Sequence, residues 1–121
     1  MIGLLALLIG AAGPAAISVP AKLVAGTITS DDYPPGALSR NASGVTMVRL
    51  TITTQGRAIG CSVHRSSGDA ELDAKTCFVA TYRMRFSPAL GHDGKPVPMA
   101  AILPVRWEID PAVAPGPSNP E

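Results

Sequence analysis

Residues 45 to 54, VTMVRLTITT, set Val48, Leu50 and Ile52 on one side of the chain and Arg49, Thr51 and Thr53 on the other. A period of two with this much β-branching is the pattern of a strand with one buried face. Gln55-Gly56 supplies a turn, and the following AIGCSVHRSS alternates again, with Ile59, Cys61 and Val63 on one face and Gly60, Ser62 and His64 on the other. Together the two runs predict a hairpin. Its apolar face must be covered, so the rest of the chain has to supply a helical layer and further strands.

The stretch after Gly68 predicts the covering helix. Asp69 is placed to cap it, Glu71 and Asp73 fall in its positive first turn, and Leu72, Thr76, Val79 and Ala80 form one stripe. Arg83 and Arg85 suit its far end, and Ser87-Pro88 is expected to stop it. An earlier short helix is expected from Pro34-Pro35 to about Ala42. In segment 99 to 109, Ala101, Leu103, Val105, Trp107 and Ile109 alternate with Ile102, Pro104, Arg106 and Glu108, which predicts a third strand. Proline cannot donate to a ladder, so Pro104 places that strand at an edge or a bulge. The expected class is α+β: a small three-stranded antiparallel sheet with two helices on one face, in the order α-β-β-α-β.

The two ends read differently. Residues 1–21 carry no charged side chain and predict either a signal peptide, cut after Val19-Pro20-Ala21, or an N-terminal membrane anchor. Both readings put the remainder outside the cytoplasm. Residues 22–30 are expected as a short connector, 31–110 as the folded domain, and 111–121, PAVAPGPSNPE, as a disordered Pro-rich tail. Ten Lys and Arg against nine Asp and Glu, scattered without a block, imply no nucleic-acid partner. In an oxidising compartment Cys61 and Cys77 are read as a disulfide joining sheet to helix, with two buried free thiols as the alternative.

Several residues could carry chemistry. Ser66 or Ser67 with His64 and Asp69 or Asp73 would make a nucleophile, base and orienting acid, and Cys61, His64, Cys77 and His92 would make a zinc set. The serines lie where a strand hands over to a helix and read as turn and capping residues. A regular strand also sends Cys61 and His64 to opposite faces, against shared ligation. The expectation is therefore no catalytic residue, no metal and no cofactor, with a small periplasmic hydrolase using Ser66 and His64 as an alternative.

The order of motifs resembles the C-terminal domains of TonB proteins. Asp32-Tyr33-Pro34-Pro35-Gly36-Ala37 is similar to the Y-P-x-x-A opening, and Gly44-Val45 through Thr54-x-Gly56-Arg57 to the hairpin that ends in G-R. Val63-His64-Arg65-Ser66-Ser67-Gly68 with Leu72-Asp73, Arg85-Phe86-Ser87-Pro88-Ala89, Gly94-Lys95-Pro96-Val97 and Pro104-Val105-Arg106-Trp107 follow in the family's order, covering about residues 31 to 109. The resemblance implies a periplasmic energy transducer that works with ExbB and ExbD in the inner membrane. Such a protein binds the TonB box of an outer-membrane TonB-dependent transporter, siderophore transporters among them, by strand addition to its final strand. The docking residues would be Ile102, Leu103, Pro104, Val105, Arg106 and Trp107. Only Lys22 to Asp32 lie between the apolar segment and the domain, a reach of roughly 40 Å when extended. The alternative is therefore a stand-alone periplasmic or secreted module that binds peptide or protein without transmitting force.

Overall fold

A computed structural model of the protein describes residues 17–109. The apolar run through residue 16 and the tail from residue 110, with the leader, anchor and tail readings attached to them, lie outside the described residues. The elements are β1 (Ile17–Val19), β2 (Lys22–Ala25), a 3-10 turn (Ser30–Asp32), α1 (Pro35–Ser39), β3 (Gly44–Ile52), β4 (Ala58–Arg65), α2 (Ala70–Tyr82), β5 (Arg85–Ser87), β6 (Ala89–Gly91), β7 (Pro96–Val97) and β8 (Met99–Trp107). The fold is α+β, built on a three-stranded antiparallel sheet in the order β4-β3-β8.

β3 is the central strand, and its alternation does what the sequence requires. Thr46, Val48, Leu50 and Ile52 are buried, whereas Arg49 is exposed. On β8, Val105 and Trp107 are buried and Ala101 and Leu103 pack against the core, while Ala100, Ile102, Pro104 and Arg106 face out. α2 covers the apolar side through Leu72, Thr76, Val79 and Ala80, all buried. Its N-terminus is capped by the Asp69 carboxylate, which accepts from the Glu71 and Leu72 amides at 3.0 and 3.1 Å. Arg40, just after α1, reaches Asp69 and Glu71 and ties the two helices together.

β4 departs from its expected alternation. Ile59 is 52% exposed, although it was expected on the inner face with Cys61, whereas Val63, opposite the buried Val48, keeps that face and is 45% exposed on this outer strand. The cause is a bulge. The register with β3 passes from Arg49↔Ser62 to Thr51↔Ile59, so an extra residue sits opposite Leu50. Gly60 lies there at φ +65°, the left-handed conformation of a glycine bulge. The extra residue turns Ala58 and Cys61 inward and leaves Ile59 outside. Cys61 still meets Cys77 of α2, with the sulfurs 2.06 Å apart.

The chain leaves α2 sooner than Ser87-Pro88 suggests. The helix ends at Tyr82, and residues 85–87 form β5 instead, because the buried Phe86 is drawn to the core. β5 pairs with β2, placing Leu23 opposite Phe86, and β6 pairs with both β1 and β7. The segment expected only as a connector thus supplies a strand. The backbone approach here is close: a Cβ on Gly26, at φ +84°, would stand 2.3 Å from the Arg83 carbonyl oxygen.

Candidate functional site

The two outer strands of the principal sheet are unlike. β4 carries the bulge at Gly60 and a second register shift between Met47 and Val48, so its outer edge is bent and irregular. β8 pairs with β3 without a break from Gly44↔Trp107 to Ile52↔Met99. Among the described residues, no strand pairs with its other side. A regular nine-residue strand with a free ladder is a template for another chain.

Pro104 fixes which backbone groups that edge presents. It sits opposite Met47 inside the unbroken register, so its nitrogen, with no hydrogen to give, must point to the open side. By the period of two, the N–H groups of Ala100, Ile102 and Arg106 point there too. The edge therefore offers donors on both sides of a gap at Pro104, and carbonyl acceptors throughout. The residues singled out from the sequence divide by parity. Ile102, Pro104 and Arg106 are exposed, while Leu103, half-buried, and Val105 and Trp107, buried, hold the strand to the core.

Trp107 anchors the end of this strand. Its indole N–H donates to Thr76 Oγ1 at 2.8 Å, and that hydroxyl donates to the Leu72 carbonyl at 2.8 Å. Tyr33 meets the indole edge-to-face, with ring centroids 5.3 Å apart, and its hydroxyl donates to the Ala42 carbonyl. Asp32, the residue before Tyr33, is held by Arg83, from which its carboxylate accepts at 2.7 and 2.5 Å. The Arg83 guanidinium holds the Asp32 carboxyl down at about 2, outweighing the opposing effect of burial. Beside the strand end a cleft of about 320 Å³ is lined by Thr29, Ser30, Tyr33, Arg106, Trp107 and Glu108. Sequence reading missed this cleft because Thr29 and Ser30 carry no motif of their own.

The residues that could have made a catalytic set are assembled otherwise. Asp73 is buried and accepts from Thr46 Oγ1 at 2.9 Å, from the Ser67 amide at 2.9 Å and hydroxyl at 2.8 Å, and from the Ser66 hydroxyl. Burial pushes this carboxyl up, and the donors from Ser66, Ser67 and Thr46 more than offset it, leaving it below the usual range. Both serine hydroxyls thus donate hydrogen bonds to Asp73. His64 meets Arg49 instead, Nδ1 to Nη2 at 3.0 Å. Cys61 and Cys77 are joined, so neither is free to ligate a metal with His64 or His92. Asp73 locks the central strand, the turn after β4 and α2 together.

The motifs that resemble the TonB pattern therefore occupy structural joints, and the unbroken free edge lies on the final strand. A family model described as "Gram-negative bacterial TonB protein C-terminal" matches residues 29–109. The chain belongs to this family. The family is one of energy-transducer domains and not of enzymes. β1 and β2 lie before the matched residues, and pair with strands inside them. No curated protein matches the chain.

Proposed function

We propose that this TonB C-terminal domain binds the TonB box of an outer-membrane transporter by strand addition at the open edge of β8, and passes to it energy drawn from the inner membrane. The observation that carries the reading is the asymmetry of the sheet: one outer strand is bulged and tied to α2 by a disulfide, the other is regular and unpaired along its outer side. An incoming segment gains backbone hydrogen bonds from Ala100, Ile102 and Arg106 and packs alternate side chains beside Leu103 and Val105. The domain works in the periplasm, and its role is binding and coupling with no bond-breaking step. Titration of the protein with a TonB-box peptide is expected to shift the amide resonances of residues 99–107. Shifts confined to other elements would refute docking at this edge.

A second reading, a module that binds without transmitting force, is favoured by one observation. Residues 17–19 and 22–25, where a spacer to a membrane segment would run, are held in strands against β6 and β5. Fractionation of cells separates the two: a chain found in the inner membrane supports the transducer, and one found only in the soluble periplasm supports the free module. Among the described residues, no helix is long and apolar enough to cross a membrane.

A further inference from the structure

The three strands of the principal sheet, GVTMVRLTI, AIGCSVHR and MAAILPVRW, contain three arginines, one histidine and no carboxylate. The described acids lie elsewhere and most are engaged: Asp32 with Arg83, Asp69 and Glu71 with Arg40, Asp73 with its hydroxyl and amide donors. The sheet's arginines are not so matched. Arg49, Arg65 and Arg106 are all exposed, and among the described residues only Arg106 meets a carboxylate, Glu108 at 3.5 Å. Both ends of that contact are about 70% exposed, a pair that contributes little.

Register places these cations on one side of the sheet. Arg65 stands opposite Met47, which stands opposite Pro104, and Arg49 stands opposite Ser62 and Ile102. Arg106 stands opposite Val45. Because directly opposed residues share a face, this is the side to which Ile102 and Pro104 project, away from α2. His64 joins it through Arg49. The other face of β8 is apolar, from Met99 through Ala101, Leu103 and Val105 to Trp107. A strand added beside β8 would therefore lie along a seam that is cationic on one face and apolar on the other. The cleft at its end adds the Thr29 and Ser30 hydroxyls next to Arg106.

We propose that the segment taken up at this edge is acidic, an extended peptide whose carboxylates alternate with apolar side chains and lie on the arginine face. This rests on docking at β8 and specifies what docks there. Backbone bonding alone would accept almost any extended chain, and the arginines give a preference among them. A carboxylate opposite Arg106 lies within cross-strand reach, and Arg49, one strand further in and bonded to His64, adds positive potential to the same face at longer range. Such contacts steer encounter and favour one partner over another more than they add affinity, and they weaken with salt.

The test uses the full chain and three seven-residue peptides of alternating residues, Val with Glu, Val with Gln and Val with Lys, followed by amide shifts and Kd. The Glu peptide is expected to bind roughly three- to tenfold more tightly than the Gln peptide at low salt. The Lys peptide is expected to bind weakest. The advantage of Glu over Gln should shrink in 0.5 M NaCl, a screening length of roughly 4 Å, and vanish in the Arg49→Gln/Arg106→Gln variant, whose exposed substitutions leave the core intact. Equal binding of the Glu and Gln peptides, with residues 99–107 shifted by both, would overturn the acidic preference and leave docking at β8 standing. Shifts by none of the peptides at 99–107 would overturn both.

Discussion

Asp73→Ala should cost this domain about 3 kcal/mol of stability, far more than a surface carboxylate would. The variant leaves four donations without an acceptor. The Ser66 and Ser67 hydroxyls are near enough to the surface to turn toward water, so their loss is small. Thr46 is fully buried and the Ser67 amide has a fixed direction, and each unpartnered donor of that kind costs roughly 1–3 kcal/mol. Removing the desolvated charge returns roughly 1 kcal/mol or more, which brings the net to about 3. For a domain of this size that lowers Tm by roughly 10–20 °C. Asp73→Asn keeps one acceptor oxygen and should cost about 1 kcal/mol, as should Thr46→Val, which removes one donor cleanly. Urea unfolding followed by fluorescence of Trp107, the single and buried tryptophan, measures all three. The Thr46→Val/Asp73→Ala double variant should be clearly less destabilised than the sum of the singles, because the stranded donor is gone. An Asp73→Ala variant within 0.5 kcal/mol of the parent, or strict additivity in the cycle, would refute the role given to this carboxylate.

Asp32 gives a pH signature. Its carboxyl falls from the ordinary 3.8 to about 2 in the fold, so its contribution is fully present above pH 4 and is lost as pH drops through 4 towards 2. The full shift corresponds to about 2.4 kcal/mol, and with Arg83 nearly half exposed about 1–2 kcal/mol is expected. Arg83→Gln should flatten that acid limb in urea titrations at stepped pH, and an unchanged limb would remove the pair from the account. Reduction of Cys61–Cys77, which are sixteen positions apart, should lower the urea stability by about 3 kcal/mol, with an equal loss in Cys61→Ser/Cys77→Ser. Pro104→Val restores a donor to the middle of the free edge and should promote self-association in sedimentation velocity at high concentration; a strictly monomeric variant would show that Pro104 does not guard the edge.

The hairpin, the covering helix and the edge strand were legible because each is governed by a short-range rule: alternation, capping, and the missing N–H of Pro104. The same residues located the free edge, since Pro104 tolerates only one orientation within an unbroken ladder. What escaped was set by partners far along the chain. Gly60 inside an alternating run was the visible sign of a bulge, and reading through it put Ile59 on the wrong face. Phe86 ended α2 early because it is buried opposite Leu23, more than sixty positions away, which no local propensity encodes. Ser66 and Ser67 read from the sequence as a joint, but the acceptor that organises them, Asp73, reads there only as a helix-start residue or the orienting acid of a catalytic set. The cationic character of the sheet's free face emerges only when the register brings Arg49, Arg65 and Arg106 to one side.

The pairing of residues 17–25 bears on how the domain is to be handled in the laboratory. A chain trimmed to the matched segment, 29–109, would lose both β1 and β2. β5 would then have no ladder partner, β6 would be bare on one side, and the Phe86 ring would lose Leu23 from its surroundings. The trimmed molecule would carry new sticky edges close in sequence to the end of α2, and precipitates or dimers formed by it would report those artificial edges. The natural β8 edge is fairly assayed only with the first strands in place.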